Sequence, residues 1–246
     1  MKVISIANHK GGVGKTTLTH SIAEALSFNH KVLMIDFDPQ ASLTAIFDAF
    51  NTNTTVTIED CLDYLRKKKV NIIDKAIQPI KGNPNLFLIA ASKFLQEQDE
   101  QNNIFLLKEA ISSLADQFDY ILIDNAPGKT KLTEMSMIAA DKLVIVAEAA
   151  YLSYKGIELL KESIQDVRDD HGASVELLGV IINKFDGRTA HNKEVRDLLA
   201  KDNNILGVIS TSVKMADCAV SKMGICSFAP SSKQAAEVRK IVDAIR

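Results

Sequence analysis

An apolar run, KVISIAN, leads directly into HKGGVGKTT, and that into TLTHSIAEALSF. The first piece reads as a buried strand. The last places Leu18, Ile22, Ala25 and Leu26 on one helical face. A glycine-rich turn between strand and helix is the arrangement of a phosphate cradle, because glycines let backbone N–H groups approach anions closely and the helix N-terminus favours negative charge. The usual phosphate-loop pattern is G-x-x-x-x-G-K-[ST]. Here Gly14, Lys15 and Thr16 fit it, but the first glycine is His9, and an additional lysine, Lys10, precedes the glycine pair.

The same alternation continues. Near-continuous apolar runs (KVLMIDFDPQ, NLFLIAAS, DYILIDNAPG, DKLVIVAEAA, VELLGVIINKFD, NILGVISTS) alternate with helical patterns (IEDCLDYLRKKKV, NNIFLLKEAISSLADQF, KLTEMSMIAA, GIELLKESIQDVRDD, HNKEVRDLLAKD, SSKQAAEVRKIVDAIR). NTNTTVT reads as a loop. This order predicts an α/β fold with a mostly parallel twisted sheet covered by helices on both faces. At 246 residues, with no repeat and no clear linker, the expectation is a single domain over residues 1–246. In such folds ligands bind at the carboxyl ends of the strands, and each motif below falls at one.

Composition excludes several classes. The net charge of −2 argues against a surface that coats nucleic acid as a whole. The charge is uneven: residues 184–246 hold 11 Lys/Arg against 7 Asp/Glu, which leaves open a basic face from the C-terminal quarter. Cys61, Cys218 and Cys226 are too scattered for a disulfide framework or a C-x-x-C metal site and are expected to be thiols in a reducing cytoplasm. No secretory signal and no bilayer-spanning run is expected.

At the first strand–helix junction, the loop backbone from Gly11 through Gly12, Val13 and Gly14 is expected to cradle phosphates. Lys15 reaches the β- and γ-phosphates, and the Thr16 hydroxyl meets Mg²⁺. Asp124, closing YILID, is the acidic residue such a metal shell needs. Asp36 and Asp38 stand two apart at another strand end, so strand geometry predicts both on one face with Phe37 on the other. Like charges this close call for a cation or donors nearby.

Together, KGGVGKTT, MIDFDPQAS and YILIDNAPG resemble the ParA/MinD family of deviant-Walker ATPases, and among them the short ParA-type (Soj-like) partition ATPases that lack an N-terminal DNA-reading domain. The likeness runs through nearly the whole chain. It implies the P-loop NTPase fold, and ATP and Mg²⁺ as cofactors. Lys10 then corresponds to the signature lysine that reaches across an ATP-sandwiched homodimer to the partner's phosphates. The resemblance makes Lys10, Lys15 and Asp38 catalytic, with Asp38 orienting the attacking water. ATP contacts come from Lys10, Gly11, Gly12, Val13, Gly14, Lys15, Thr16 and Thr17, with Asn183 reading adenine; Thr16, Asp36 and Asp124 serve the metal. Arg188 and Lys214 match basic residues that bind DNA backbone. The chain departs from many relatives at Ala126, at Ala150, and at Ser210-Thr211 where Pro-Arg is common.

The function so implied is an ATPase whose ATP-bound dimer binds DNA non-specifically and segregates a plasmid or chromosome, with a ParB-like centromere-binding activator as partner, in the cytoplasm at the nucleoid. One alternative is a MinD-like positioning ATPase at a membrane. That needs an amphipathic C-terminal helix with bulky anchors, and SSKQAAEVRKIVDAIR has no Phe, Trp or Leu, so no membrane partner is expected. The other is an ATP-dependent metabolic ligase of the same fold. RKKK at 66–69 reads as a solvated helix end rather than a nucleic-acid patch.

Overall fold

A computed structural model describes residues 1–51, 54–100 and 103–246 of the chain. Eight strands form one sheet: β1 (Lys2–Ala7), β2 (Val32–Phe37), β3 (Ile77–Pro79), β4 (Leu86–Ile89), β5 (Tyr120–Asn125), β6 (Lys142–Glu148), β7 (Glu176–Phe185) and β8 (Ile205–Ser210). Their spatial order is β3-β4-β2-β5-β1-β6-β7-β8, and every pairing is parallel except β3 with β4. The chain winds outward from β1 in both directions, so the loop after β1 sits at the point where the strand order reverses. That is where an open α/β sheet leaves a crevice for a ligand.

The helices are α1 (Lys15–Ser27), α2 (Ser42–Ile46), α3 (Ile58–Lys68), α4 (Leu106–Ser112), α5 (Lys131–Ala139), α6 (Tyr151–His171), α7 (Ala190–Asp202), α8 (Val213–Ser221), α9 (Ile225–Phe228) and α10 (Lys233–Ile245). Alternate strand residues face opposite layers. Val3, Leu33, Ile35, Ile121 and Ile123 pack under α3–α7, and Ile4, Ile6, Met34, Leu122 and Val144 under α1, α2 and α8–α10. Each such side chain, fully buried, stabilises the fold by about 1.5–3 kcal/mol relative to an exposed one. Both faces of the sheet are thus apolar, which is why these strands read as continuous apolar runs rather than alternating ones.

Several boundaries differ from the sequence expectation. The helix expected over NNIFLLKEAISSLADQF is limited to Leu106–Ser112, and residue 102 lies outside the described residues. Its end has a local cause: the Ser112 and Ser113 hydroxyls donate to the Glu109 and Ala110 carbonyls, competing with helix continuation. Residues 52 and 53 of NTNTTVT also lie outside the described residues. The antiparallel edge strand β3, the short helices α2 and α9, and α8 carry too few periodic positions to have been expected. RKKK does end a helix: Arg66 and Lys67 both pair with Asp63, and Lys69 takes the left-handed conformation that closes α3. All three cysteines are buried and unpaired.

The C-terminal helix packs into the core. Ala235, Val238, Ile241, Val242 and Ile245 of α10 are buried in the cluster that includes α1, and the Lys2 ammonium caps the carbonyls of Ile245 and Arg246. Among the described residues no helix is long and apolar enough to cross a membrane.

Candidate functional site

The loop joining β1 to α1 is held from three sides. Asn8 donates through Nδ2 to the Val146 carbonyl at 2.6 Å and accepts from the Lys10 N–H at 2.9 Å. The Gly128 N–H, after β5, donates to the His9 carbonyl. At the other end, Gly14 caps α1 at φ +96°, a left-handed conformation that favours glycine. There is no room for a side chain there: a Cβ on Gly14 would stand 2.2 Å from Nδ2 of Asn183. Lys15 is only 6% exposed, and its ammonium donates to the carbonyls of Asn8 and Lys10. Burial pulls its pKa down, while the charges of Asp124 and Asp38 oppose that. A buried cation with this little local compensation suits an anionic ligand. In front of it lies a cleft of about 590 Å³ lined by Gly11, Gly12, Gly14, Lys15, Thr16, Thr17, Asp38 and Pro127.

The three aspartates gather as expected but do different things. Asp36 and Asp124 are register partners on adjacent strands, both fully buried on the α1 face. Phe37 faces the opposite layer, as the period-two reading requires. Asp36 is saturated: Oδ2 accepts from both the N–H and the hydroxyl of Thr44 at 2.7 Å, and Oδ1 from the Asp38 N–H. Asp38 lies just past the end of β2, accepts from the Gln40 N–H and lines the cleft. Asp124 accepts from the Thr19 hydroxyl through Oδ1, whereas its Oδ2 is buried without a partner.

That orphan oxygen bears on magnesium. Among the described residues no three His, Cys, Asp or Glu side chains converge to hold an ion by themselves. Magnesium keeps several waters and completes its shell with phosphate oxygens rather than an all-protein cage. A hydroxyl at Thr16 and an unpaired carboxylate oxygen at Asp124 fit such an ion, and the saturated Asp36 fits a supporting place behind it.

Burial raises both carboxylates, Asp36 to about 6 and Asp124 to about 7, with the Asp36 charge as the second cause at Asp124. A carboxylate whose folded pKa exceeds its unfolded one binds more protons when folded, so the protein gains stability as pH falls through the folded value. For Asp124 the gain between pH 8 and 6.5 is on the order of 1 kcal/mol, roughly 2–4 °C in melting temperature. His20, pushed down to about 4 by burial, and His9, also lowered by burial, act in the opposite sense from about pH 7 downward and offset part of that gain at its lower end. The nucleotide-free protein should therefore melt higher at pH 6.5 than at 8, and added Mg-ATP should flatten the difference. A melting temperature lower at pH 6.5 than at pH 8 contradicts the burial of this uncompensated charge.

Lys10 is not among the residues that line the cleft in front of Lys15, whereas Lys184 is. The Lys10 ammonium pairs with Glu148 at 2.7 Å, and its side chain is 58% exposed. Glu148, the last residue of β6, also takes Lys184 at 2.9 Å, and Lys184 donates to the Gly12 carbonyl. Burial draws the Glu148 pKa up, but the two lysines outweigh it and hold it below the usual range. Asn183 donates to the Val13 carbonyl at 2.8 Å, so its amide buttresses the loop from behind. It also lines a second cleft, of about 210 Å³, with Gly14, Thr17, Ser210, Thr211 and Met215. Ser210 is fixed there by Glu237, which accepts from its N–H and its hydroxyl.

Arg188 and Lys214 lie outside the clefts. Arg188 is 91% exposed and forked onto Asp186. Lys214 is exposed in the first turn of α8. The basic excess of the C-terminal quarter is partly matched, since Arg196 and Arg246 pair with nearby Asp197 and Asp243, and Lys222 with Asp48 from the first half of the chain.

Sequence reasoning missed Asn8, Thr44, Glu148 and Lys184. Glu148 was legible as the acidic end of an apolar strand beside the loop. Thr44 was not, because it reaches Asp36 through a helix of five residues.

Comparison with known proteins agrees with this geometry. A family model described as an AAA domain (AAA_31) matches residues 1–177. A ParA family protein of Chlamydia pneumoniae is 30% identical over 95% of this chain and 92% of its own. Apo McdA of Cyanothece superposes with a TM-score of 0.88 at 25% identity over 100% of both chains. A plasmid partition protein of Borrelia burgdorferi B31 bound to AMPPNP superposes at 0.83, 27% identical, over 99% and 98%. By sequence and by fold, this chain is a member of the ParA/MinD family of P-loop ATPases.

Proposed function

We propose that the chain is a partition ATPase of the ParA type, a single ATPase domain across residues 1–246 that acts as a dimer in the cytoplasm, at the nucleoid. ATP and Mg²⁺ occupy the 590 Å³ cleft, with the loop backbone and Lys15 on the phosphates, Thr16 and Asp124 on the metal, and Asp36 fixing the loop behind it. Bound Mg²⁺ would neutralise phosphate charge as it develops. Asp38, at the cleft wall, orients the attacking water. Asn183 faces the smaller cleft, where the base would lie; with its amide N–H on Val13, its carbonyl oxygen remains for the adenine amino group.

The observation that carries the reading is Lys10. It flanks the phosphate cleft, yet its ammonium is on Glu148 and not in the cleft of its own chain. A second copy bringing its Lys10 to these phosphates completes the site, so ATP would bring two chains together, and a centromere-bound activator would trigger hydrolysis and separate them.

Arg188 and Lys214, doubled in a dimer, supply phosphate contacts for DNA of any sequence. The test is binding to arbitrary duplex DNA with ATP, ADP or no nucleotide, at 50 and 200 mM salt. Binding should require ATP and weaken at least roughly tenfold over that range, as release of counterions demands. ATP-dependent binding to liposomes with none to DNA would instead favour the MinD-like activity. That alternative has the packing of α10 against it, because a helix whose apolar face is in the core has none left for lipid.

A further inference from the structure

A third cavity, of about 340 Å³, lies beyond the carboxyl end of β4, between the first turns of α3 and the 3-10 segment Lys93–Glu100. Glu59, Asp60, Asp63 and Glu97 line it, and among the described residues no Lys or Arg does. Asp60 is engaged in capping α3 through Thr57, and Asp63 accepts from Arg66, Lys67 and Gln98.

Acidity alone would not make a site, but two of the lining side chains each carry a buried oxygen without a partner. Glu59 is 6% exposed, with one carboxylate oxygen on the Ser92 hydroxyl and Oε2 buried without a partner. Gln98 is 3% exposed, and because its amide nitrogen donates to Asp63, its orphaned Oε1 has a fixed identity as an acceptor. Among the described residues lining the cavity, both unsatisfied atoms are acceptors. A buried acceptor without a donor costs about 1–3 kcal/mol, more for a charged group, so the cavity calls for a donor carrying positive charge.

Which cation fits follows from the rest of the lining. A metal ion lacks the three converging ligands it would need among the described residues. Phe50 and Phe94 stand at the rim, 41% and 55% exposed, and the ring of Phe94 already attracts the Lys93 ammonium at 5.3 Å. A planar guanidinium satisfies both kinds of neighbour, since its fork reaches two acceptors at once while its face stacks on an aromatic ring.

We propose that this cavity receives an arginine side chain of a partner protein, its guanidinium donating to Glu59 Oε2 and Gln98 Oε1 and stacking on Phe94. The place has a consequence. The N–H of Ala91, next to Ser92, donates to the Thr44 hydroxyl at 2.9 Å, and that hydroxyl holds Asp36. An arginine on Glu59 would thus press on the segment that fixes the loop behind the phosphate cleft. The proposal does not depend on which cargo the ATPase moves.

The probe is the tripeptide acetyl-Gly-Arg-Gly-amide, titrated into the full chain and followed by backbone amide NMR. Its control replaces arginine by citrulline, the neutral isostere. The arginine peptide should shift the signals of Ser92, Phe94 and Gln98 saturably, in the millimolar range, and citrulline at least tenfold more weakly. Glu59→Gln should weaken arginine binding at least fivefold with ATP affinity unchanged. Phe94→Ala, on an exposed rim where folding is not at stake, should weaken it about threefold. Equal binding of the two peptides, full affinity in both variants, no saturable shift, or displacement of the peptide by Ca²⁺ alone would each overturn the assignment.

Discussion

Replacing Gly14 by alanine is expected to weaken ATP binding by at least about 100-fold, close to 3 kcal/mol. Two effects add. The residue sits at φ +96°, where an L side chain is strained by roughly 1–2 kcal/mol. Its new methyl would also lie 2.2 Å from the Asn183 amide, well inside contact distance. Asn183 cannot simply swing away, because its amide is what holds the Val13 carbonyl. The loop must therefore move, and its N–H groups lose their aim. Gly12 provides the internal control: φ is +74°, yet nothing lies within 4 Å of a Cβ there. Gly12→Ala should show the strain alone, about tenfold, by isothermal titration with ATP. Equal losses in the two variants would mean that the contact with Asn183 contributes nothing.

What the sequence disclosed and what it withheld divide along one line. Features confined to a few consecutive residues were legible: the strand–loop–helix at Lys2–Ser27, the aspartates at strand ends, and the two-faced sheet, because each is written in local periodicity or in residue types with one physical use. Features made by residues far apart were not. The Asn183–Val13 bond joins positions 170 residues apart, and Lys10–Glu148 joins positions 138 apart. The reading of Asn183 as a base contact rests on residue type and family resemblance; that its amide also buttresses Gly14 depends on β7 lying two strands from β1, which only the sheet order fixes. The same holds for the charge of the C-terminal quarter. Counting gives an excess of cations, but pairing decides how much is available, and several are matched by acids in their own neighbourhood or, for Lys222, by distant Asp48.

Lys10→Ala is expected to bind ATP within about threefold of the unaltered chain and yet lose stimulated turnover by a factor of about 10³ or more, the size of effect seen when a cation supplied in trans is removed from phosphoryl transfer. The asymmetry follows from where the side chain lies. Lys10 does not line the cleft of its own chain, so first binding of nucleotide does not use it; it pairs instead with Glu148. That pair is half-exposed, and exposed ion pairs are worth only about 0–1 kcal/mol after screening. It can hold the ammonium in the isolated chain, and bound nucleotide in a second copy can outbid it easily. Lys184 would then keep Glu148 neutralised, so the departure leaves no bare carboxylate. Glu148→Gln should accordingly ease ATP-dependent dimerisation only slightly, less than about fivefold by sedimentation, whereas Lys10→Ala should abolish the ATP-dependent gain in mass or leave a dimer unable to turn over. Unimpaired stimulated turnover in Lys10→Ala would remove the trans role. A large gain in dimerisation from Glu148→Gln would show the contact to be a lock rather than a resting place. If the chain works as the proposed ATP-dependent dimer, the small cost of leaving Glu148 would let ATP occupancy, not the strength of this ion pair, decide when two copies close on each other.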